Sequence, residues 1–196
     1  TLKDASSLKG KSIATNRGSI GHYVTLKALE AVGLTADDVQ IKFIPPADAK
    51  RALTQGAVDA WATWEPYTAL AETSKHARVL VSGRGLSSGL SFLAATESAL
   101  QNKRVVLQDF KARVERAQVW SYQRPAEFGA ALARVIGIPE EAARLQFERR
   151  ATRWLPIDAQ VVADQQRTAD FYLKVGLVKQ KLDVSKTFDS QFAGVA

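Results

Sequence analysis

From Lys11 to Leu34 the chain reads KSIATNRGSIGHYVTLKALEAVGL, and this stretch constrains the fold more than any other. KSIAT has strand character, and Ile20, Val24, Ala28, Leu29 and Val32 then recur at helical spacing until Gly33. A buried strand that turns directly into a helix leaves unpaired backbone N–H groups and the positive end of the helix dipole at the turn. Such a turn can hold a small oxyanion without a dedicated cation. The same residues also serve simply to shape and cap a helix, and the local sequence by itself favours capping by Gly18 and Ser19. GSIGHY matches neither the GxxxxGKS/T phosphate loop nor GxGxxG, so nucleotide binding has no support.

Strands and helices alternate through residue 83. VQIKFI (Val39 to Ile44) predicts a second strand stopped by Pro45 and Pro46, and Asp48 is placed to cap a helix running through Thr54 and ended by Gly56. VDAWATW (Val58 to Trp64) predicts a third strand, in which Trp61 and Trp64, three apart, face opposite sides. Glu65-Pro66 breaks it, a short helix covers Tyr67 to Thr73, and Arg78 to Val81 reads as another strand. This order predicts a parallel or mixed α/β sheet with helices on both faces.

SGRGLSSGLS (Ser82 to Ser91) is the linker candidate and places a division near residue 84, separating an α/β segment 1–83 from a mainly helical segment 84–196. In the latter, Phe92 to Ala95 reads as one strand. Helices are expected over Ser98 to Asn102, Asp109 to Gln123, Pro125 to Ile136, Pro139 to Arg149 and Asp158 to Val175, with Gly176 as the stop. Pro125 and Pro139 suit first turns, and Asp109 and Asp158 suit N-caps. A lone strand forms no sheet, so this half either docks on the first or draws strands from residues not present in the chain.

Composition removes several classes of function. The chain has no Cys, which excludes disulfides, thiol catalysis and thiolate metal sites, and its two histidines, His22 and His76, make a multi-histidine metal centre implausible. No metal and no cofactor are expected. The net charge of +7 is spread along the chain among acidic residues and does not form a nucleic-acid footprint. No apolar run reaches the roughly 18 residues of a membrane span. With no Met anywhere and Thr at position 1, a preceding part of the protein is expected to be missing.

Ligands of open α/β sheets bind beyond the carboxyl ends of the strands, which singles out Asn16 to His22, Pro45 to Asp48 and Trp64 to Tyr67. The first offers backbone N–H groups around Ser19, Ile20 and Gly21, the Ser19 hydroxyl, and His22 one turn inside the helix. Trp64 supplies an apolar wall for an amphiphilic organic anion. Glu65 either meets a cation on the ligand or bonds to neighbouring protein groups, the second being favoured. Arg149, Arg150 and Arg153 read as a solvated surface around an anchoring Trp154. The inventory for catalysis is thin, because Ser19 and His22 lie too close in sequence to form a nucleophile and base, and GxSxG, HExxH and paired carboxylates are lacking.

Four strings then carry a resemblance: Leu8 to Leu34, IPPADAKRALTQGAVDAWATWEPY (Ile44 to Tyr67), SGLSFLAA (Ser88 to Ala95) and QQRTADFYLKVGLVKQKLDV (Gln165 to Val184). The chain resembles the periplasmic aliphatic sulfonate-binding proteins of ABC importers, within the group that also includes taurine, nitrate and thiamine-precursor binders. The resemblance implies an α/β, type II periplasmic binding protein-like fold, with lobe 2 over 1–83 and the C-terminal part of lobe 1 over 84–196, the N-terminal part of lobe 1 being absent. It implies a monomeric, non-enzymatic periplasmic protein that binds an organic sulfonate in an interlobe cleft and delivers it to a membrane permease. Position by position, it implies ligand contacts at Gly18, Ser19, Ile20, His22, Trp64, Glu65, Ser88 and Gly89. The family often has Asp where Glu65 stands. The fold also serves effector domains of transcription regulators and enzymes of the thiamine-precursor branch, which remain the alternative readings.

Overall fold

The structure is a computed structural model that describes residues 2–150 and 152–192. The chain divides into two compact units, one formed by residues 2–87 and 129–150, the other by residues 88–128 and 152–192.

The first unit is built on three parallel strands, β1 (Ser12–Thr15), β2 (Gln40–Phe43) and β3 (Ala60–Trp61), in the order β2-β1-β3. Side chains alternate across a strand, so neighbouring residues of β1 serve different cores. Ile13 joins Leu8, Val39 and Leu29 of helix α1 (Ile20–Ala31) on one face, while Ala14 joins Val58 and Ala49 of helix α2 (Pro46–Thr54) on the other. The start of β1 is tied to the approach to β3 by a reciprocal pair of bonds. The backbone N–H and hydroxyl of Ser12 donate to Asp59 Oδ2 at 2.9 and 2.8 Å, and Asp59 N–H donates back to Ser12 Oγ at 3.1 Å.

Helix α1 lies where its pattern predicts, but its buried face is rotated. Ala28 and Leu29 of the expected stripe are buried, but Ile20 and Val32 are exposed, and Gly21, His22 and Thr25 are buried instead. The reason is the close seating of its first turn on the strand ends. A Cβ on Gly21 would stand 2.5 Å from the Ala62 carbonyl oxygen and 2.9 Å from Thr15 Oγ1. Asp48 is not the cap of α2: the helix starts at Pro46 with Pro45 before it, and Asp48 pairs with Arg51 inside the helix.

The third strand is shorter than its sequence suggests. β3 pairs only with β1, which ends at Thr15, so past Ala62 the ladder has no partner. Trp64 therefore lies beyond the strand, and the two tryptophans do not divide between its faces. Both approach Tyr67, with ring centroids 6.0 Å away for Trp61 and 5.8 Å for Trp64. Arg78 to Val81 joins no ladder either; Leu80 is used for packing against the α1-side core. Helix α3 (Tyr67–Thr73) follows as expected, and α7, described next, packs on it.

The remaining helices are α4 (Glu97–Asn102), α5 (Arg104–Gln123), α6 (Pro125–Ile136), α7 (Glu140–Arg150) and α8 (Ala159–Lys174). The expected strand at Phe92 to Ala95 is irregular, because none of the described residues of the second unit forms a strand that could pair with it. α5 begins five residues before Asp109, which is an interior residue bonded to Arg113 at 2.8 Å rather than a cap. Asp158 does cap α8, accepting the Val161 N–H at 2.9 Å.

The approach at Gly21 makes a sharp prediction. Gly21→Ala should cost about 1–3 kcal/mol, because the two nearest obstructing atoms are the Ala62 backbone carbonyl, which cannot rotate away. A thermal melt should show a midpoint lower by several degrees; an unchanged midpoint would show that α1 is not seated against Ala62.

Candidate functional site

In a parallel sheet all carboxyl ends lie on one edge, and with the order β2-β1-β3 the switch point falls between β1 and β3. The loops that meet this edge are residues 16–19, 44–45 and 62–66. Gly21 fastens the first turn of α1 to Ala62 there.

Three groups shape the start of α1. Gly18 adopts φ 73°, the left-handed conformation that turns the chain from strand to helix. Ser19 is the N-cap, its Oγ accepting the His22 N–H at 3.3 Å, while its own N–H donates to the Asn16 carbonyl at 3.1 Å. The next two N–H groups, of Ile20 and Gly21, have no acceptor among the described residues. Capping and anion binding are therefore compatible here: the cap uses the third amide and leaves the first two at the positive end of the helix.

His22 is 5% exposed. Its Nδ1 accepts the Gly18 N–H at 3.3 Å, and its ring meets Phe43 edge-on at 4.9 Å. Burial, reinforced by the Arg17 charge, holds its pKa below the ordinary imidazole value. The ring is thus neutral near pH 7, with its proton assigned to Nε2 because Nδ1 accepts a bond. His22 braces the turn and supplies no positive charge. The cation of this turn is Arg17, whose guanidinium stacks over Phe43 with its carbon 5.1 Å from the ring centroid.

The sequence reading passed over Arg17 and also over two buried hydroxyls. Thr15 is fully buried at the end of β1, and neither its Oγ1 nor that of Thr63, just past β3, has a hydrogen-bond partner among the described residues. Thr15 Oγ1 lies directly beneath Gly21. TNRGS did carry a signal, with a polar residue ending the strand and an arginine opening the turn.

Glu65 bonds to the protein. Its Oε2 accepts the Ala69 N–H at 2.9 Å, and its Oε1 accepts from Arg149 Nη1 at 3.2 Å. Arg149 is not a solvated surface residue: it sits at the end of α7, one third exposed, with Nη1 on Glu65 and Nη2 on Glu72. Burial pulls the Arg149 pKa down, but the Glu72 and Glu65 carboxylates outweigh it and raise the value. The arginine is 84 residues from Glu65, so no local pattern could reveal the pair. Ser88 and Gly89 belong to the second unit, in the irregular segment 88–96, where Ser88 Oγ accepts the Leu90 N–H at 3.5 Å and Gly89 has φ 68°. Among the described residues no group of three His, Asp or Glu is placed to hold a metal ion, and no helix is long and apolar enough to cross a membrane.

A doubly wound parallel sheet, with the first two amides of α1 lacking acceptors among the described residues at its switch point, defines the first unit as an α/β domain. The NMT1-like family profile matches residues 2–137, and the chain belongs to that family. It is 34% identical over 184 residues to the "Putative aliphatic sulfonates-binding protein" of Escherichia coli (strain K12), over 93% of this chain and 58% of that protein. The protein of the same name from Bacillus subtilis (strain 168) is 33% identical over 195 residues, covering 97% of this chain and 58% of its own length. The alkanesulfonate-binding protein SsuA from Xanthomonas axonopodis pv. citri, solved bound to MOPS, superposes with a TM-score of 0.86 at 30% identity, over 95% of this chain and 65% of that one. The expected binding-protein fold is the one observed, and the chain spans less than two thirds of the length of each of these proteins.

The His22 environment sets a pH dependence. An unfolded histidine takes a proton below about pH 6.5, whereas buried His22 resists protonation until a lower pH. Stability should therefore be full above about pH 6.5 and fall as the pH drops toward the folded value. Urea titrations between neutral and mildly acidic pH should show this slope, and His22→Gln should reduce it; an undiminished slope would assign it to other groups.

Proposed function

We propose that the chain acts as the solute-binding component of an ABC importer and takes up an organic sulfonate. The observation that carries the reading is the start of α1: the N–H groups of Ile20 and Gly21 have no acceptor among the described residues, beside the Ser19 hydroxyl, at the sheet's switch point. Support comes from relatives named for aliphatic sulfonates and from the SsuA structure that holds MOPS, itself an alkanesulfonate.

A sulfonate stays anionic across the physiological pH range, so neutral dipoles suffice and no titrating partner is needed. Several donors must act together, because burying an anion against a single one would cost more than it returns. In this reading the turn at Gly18, Ser19 and Ile20 receives the sulfonate oxygens, neutral His22 holds the turn's shape, and Trp64 packs against the alkyl or aryl part. The protein is a monomer of the periplasm, catalyses no reaction and passes its ligand to a membrane permease.

Calorimetric titration with short alkanesulfonates should show saturable binding. Ser19→Ala should weaken it about tenfold or more, as a hydrogen bond to a charged group contributes roughly 1.5–3 kcal/mol. Equal affinity in the variant would remove Ser19 from the site. Wild-type protein that binds none of the sulfonates would overturn the reading.

A further inference from the structure

Ion pairs at a protein surface contribute little, but the one around Glu65 differs in three respects. The Glu65 side chain is only 12% exposed and that of Glu72 25%, so both carboxylates have lost much of their water. A single guanidinium serves both, one Nη to each. The arginine comes from α7, far along the chain, whereas both carboxylates flank or belong to α3. α7 packs on α3, with Ala69 and Ala71 buried on one helix and Ala142 and Ala143 on the other. The small residues permit a close approach that lets Arg149, the penultimate residue of α7, reach one carboxylate just before α3 and one near its end.

Glu65 is also the residue next to Trp64. Its second oxygen holds the Ala69 N–H at 2.9 Å, the Trp64 carbonyl accepts the Thr68 N–H at 3.3 Å, and the Trp64 ring stands edge-on to Tyr67. Loop and first helical turn thus form one braced piece, and Arg149 ties its Glu65 side to α7. We infer that Arg149 is a positioning residue: by clamping Glu65 and Glu72 it fixes the loop that presents Trp64, and so sets the apolar wall of the site. The consequence for ligand affinity rests on the sulfonate reading above; the clamp itself does not.

Without the guanidinium, two half-buried carboxylates would face each other unpaired, and the loop would move to hydrate them. Lysine is a poor substitute, because its compact ammonium cannot span two carboxylates as a planar fork does.

The test is fluorine NMR of the whole chain labelled with 5-fluorotryptophan. It has four tryptophans, and Trp64→Phe assigns the resonance of interest. Arg149→Gln should shift or broaden the Trp64 signal while leaving that of Trp154 unchanged, and Arg149→Lys should restore it only in part. Alkanesulfonate affinity should fall about tenfold in Arg149→Gln. A purely structural contribution would lower the melting midpoint and leave the Trp64 resonance of the folded state where it was, which would overturn the proposal. If Arg149→Gln does not fold, Glu72→Gln removes one arm of the clamp and should move the same resonance by less; no movement there would be equally decisive against it. Should the wild type bind no sulfonate, the functional reading fails while the fluorine spectra still decide the role of Arg149.

Discussion

The first unit depends on β1 being hydrogen-bonded on both sides and covered on both faces. Ile13 pairs in register with Ile41 of β2 and with Ala60 of β3. One residue apart, Ile13 and Ala14 feed separate cores under α1 and α2. A four-residue strand in that position has no freedom to slip, since a shift by one would exchange the two cores. Everything that follows β1 inherits this certainty. The turn at Gly18 and Ser19 starts from the best anchored point of the sheet, and α1 is pressed against Ala62 with room only for a glycine.

The electrostatics of this edge are those of dipoles and spent charges. His22 is kept neutral by its burial and by Arg17, and Glu65, the carboxylate of the third loop, shares the Arg149 guanidinium with Glu72. In the sulfonate reading, the amides of Ile20 and Gly21, which have no acceptor among the described residues, are the groups that would meet a permanent anion. A carboxylate left ionised and unpaired at Glu65 would work against that purpose.

The two units differ in how their chain is secured. The first has two apolar clusters about its sheet. The described part of the second is helical, with Ser121 as the buried residue of α5 and with Val105, Val106 and Phe110 of that helix exposed. Polar bonds are among its fixed points, beside the buried Val161, Ala169 and Val184. Arg104 reaches Asp189 and Gln191, and Gln166 holds the Leu182 carbonyl and the Val184 N–H.

Period and punctuation in the sequence determined the first two strands, α1, α3, α6 and the cap of α8, because each is specified within a few residues by spacing, glycine, proline or an acidic cap. They also marked Gly18 and Ser19 as the residues that turn and cap the start of α1. Only the tertiary structure decided where strands end, since a ladder stops when its neighbour stops: β3 fell short at Trp61 and the segment at Phe92 formed none. Only tertiary packing decided which face of α1 is buried, left the hydroxyls of Thr15 and Thr63 under the site, and brought Arg149 to Glu65 across 84 residues. Local sequence records what a residue prefers, whereas contact between distant segments depends on how helices pack, and that is written in no single stretch of the chain.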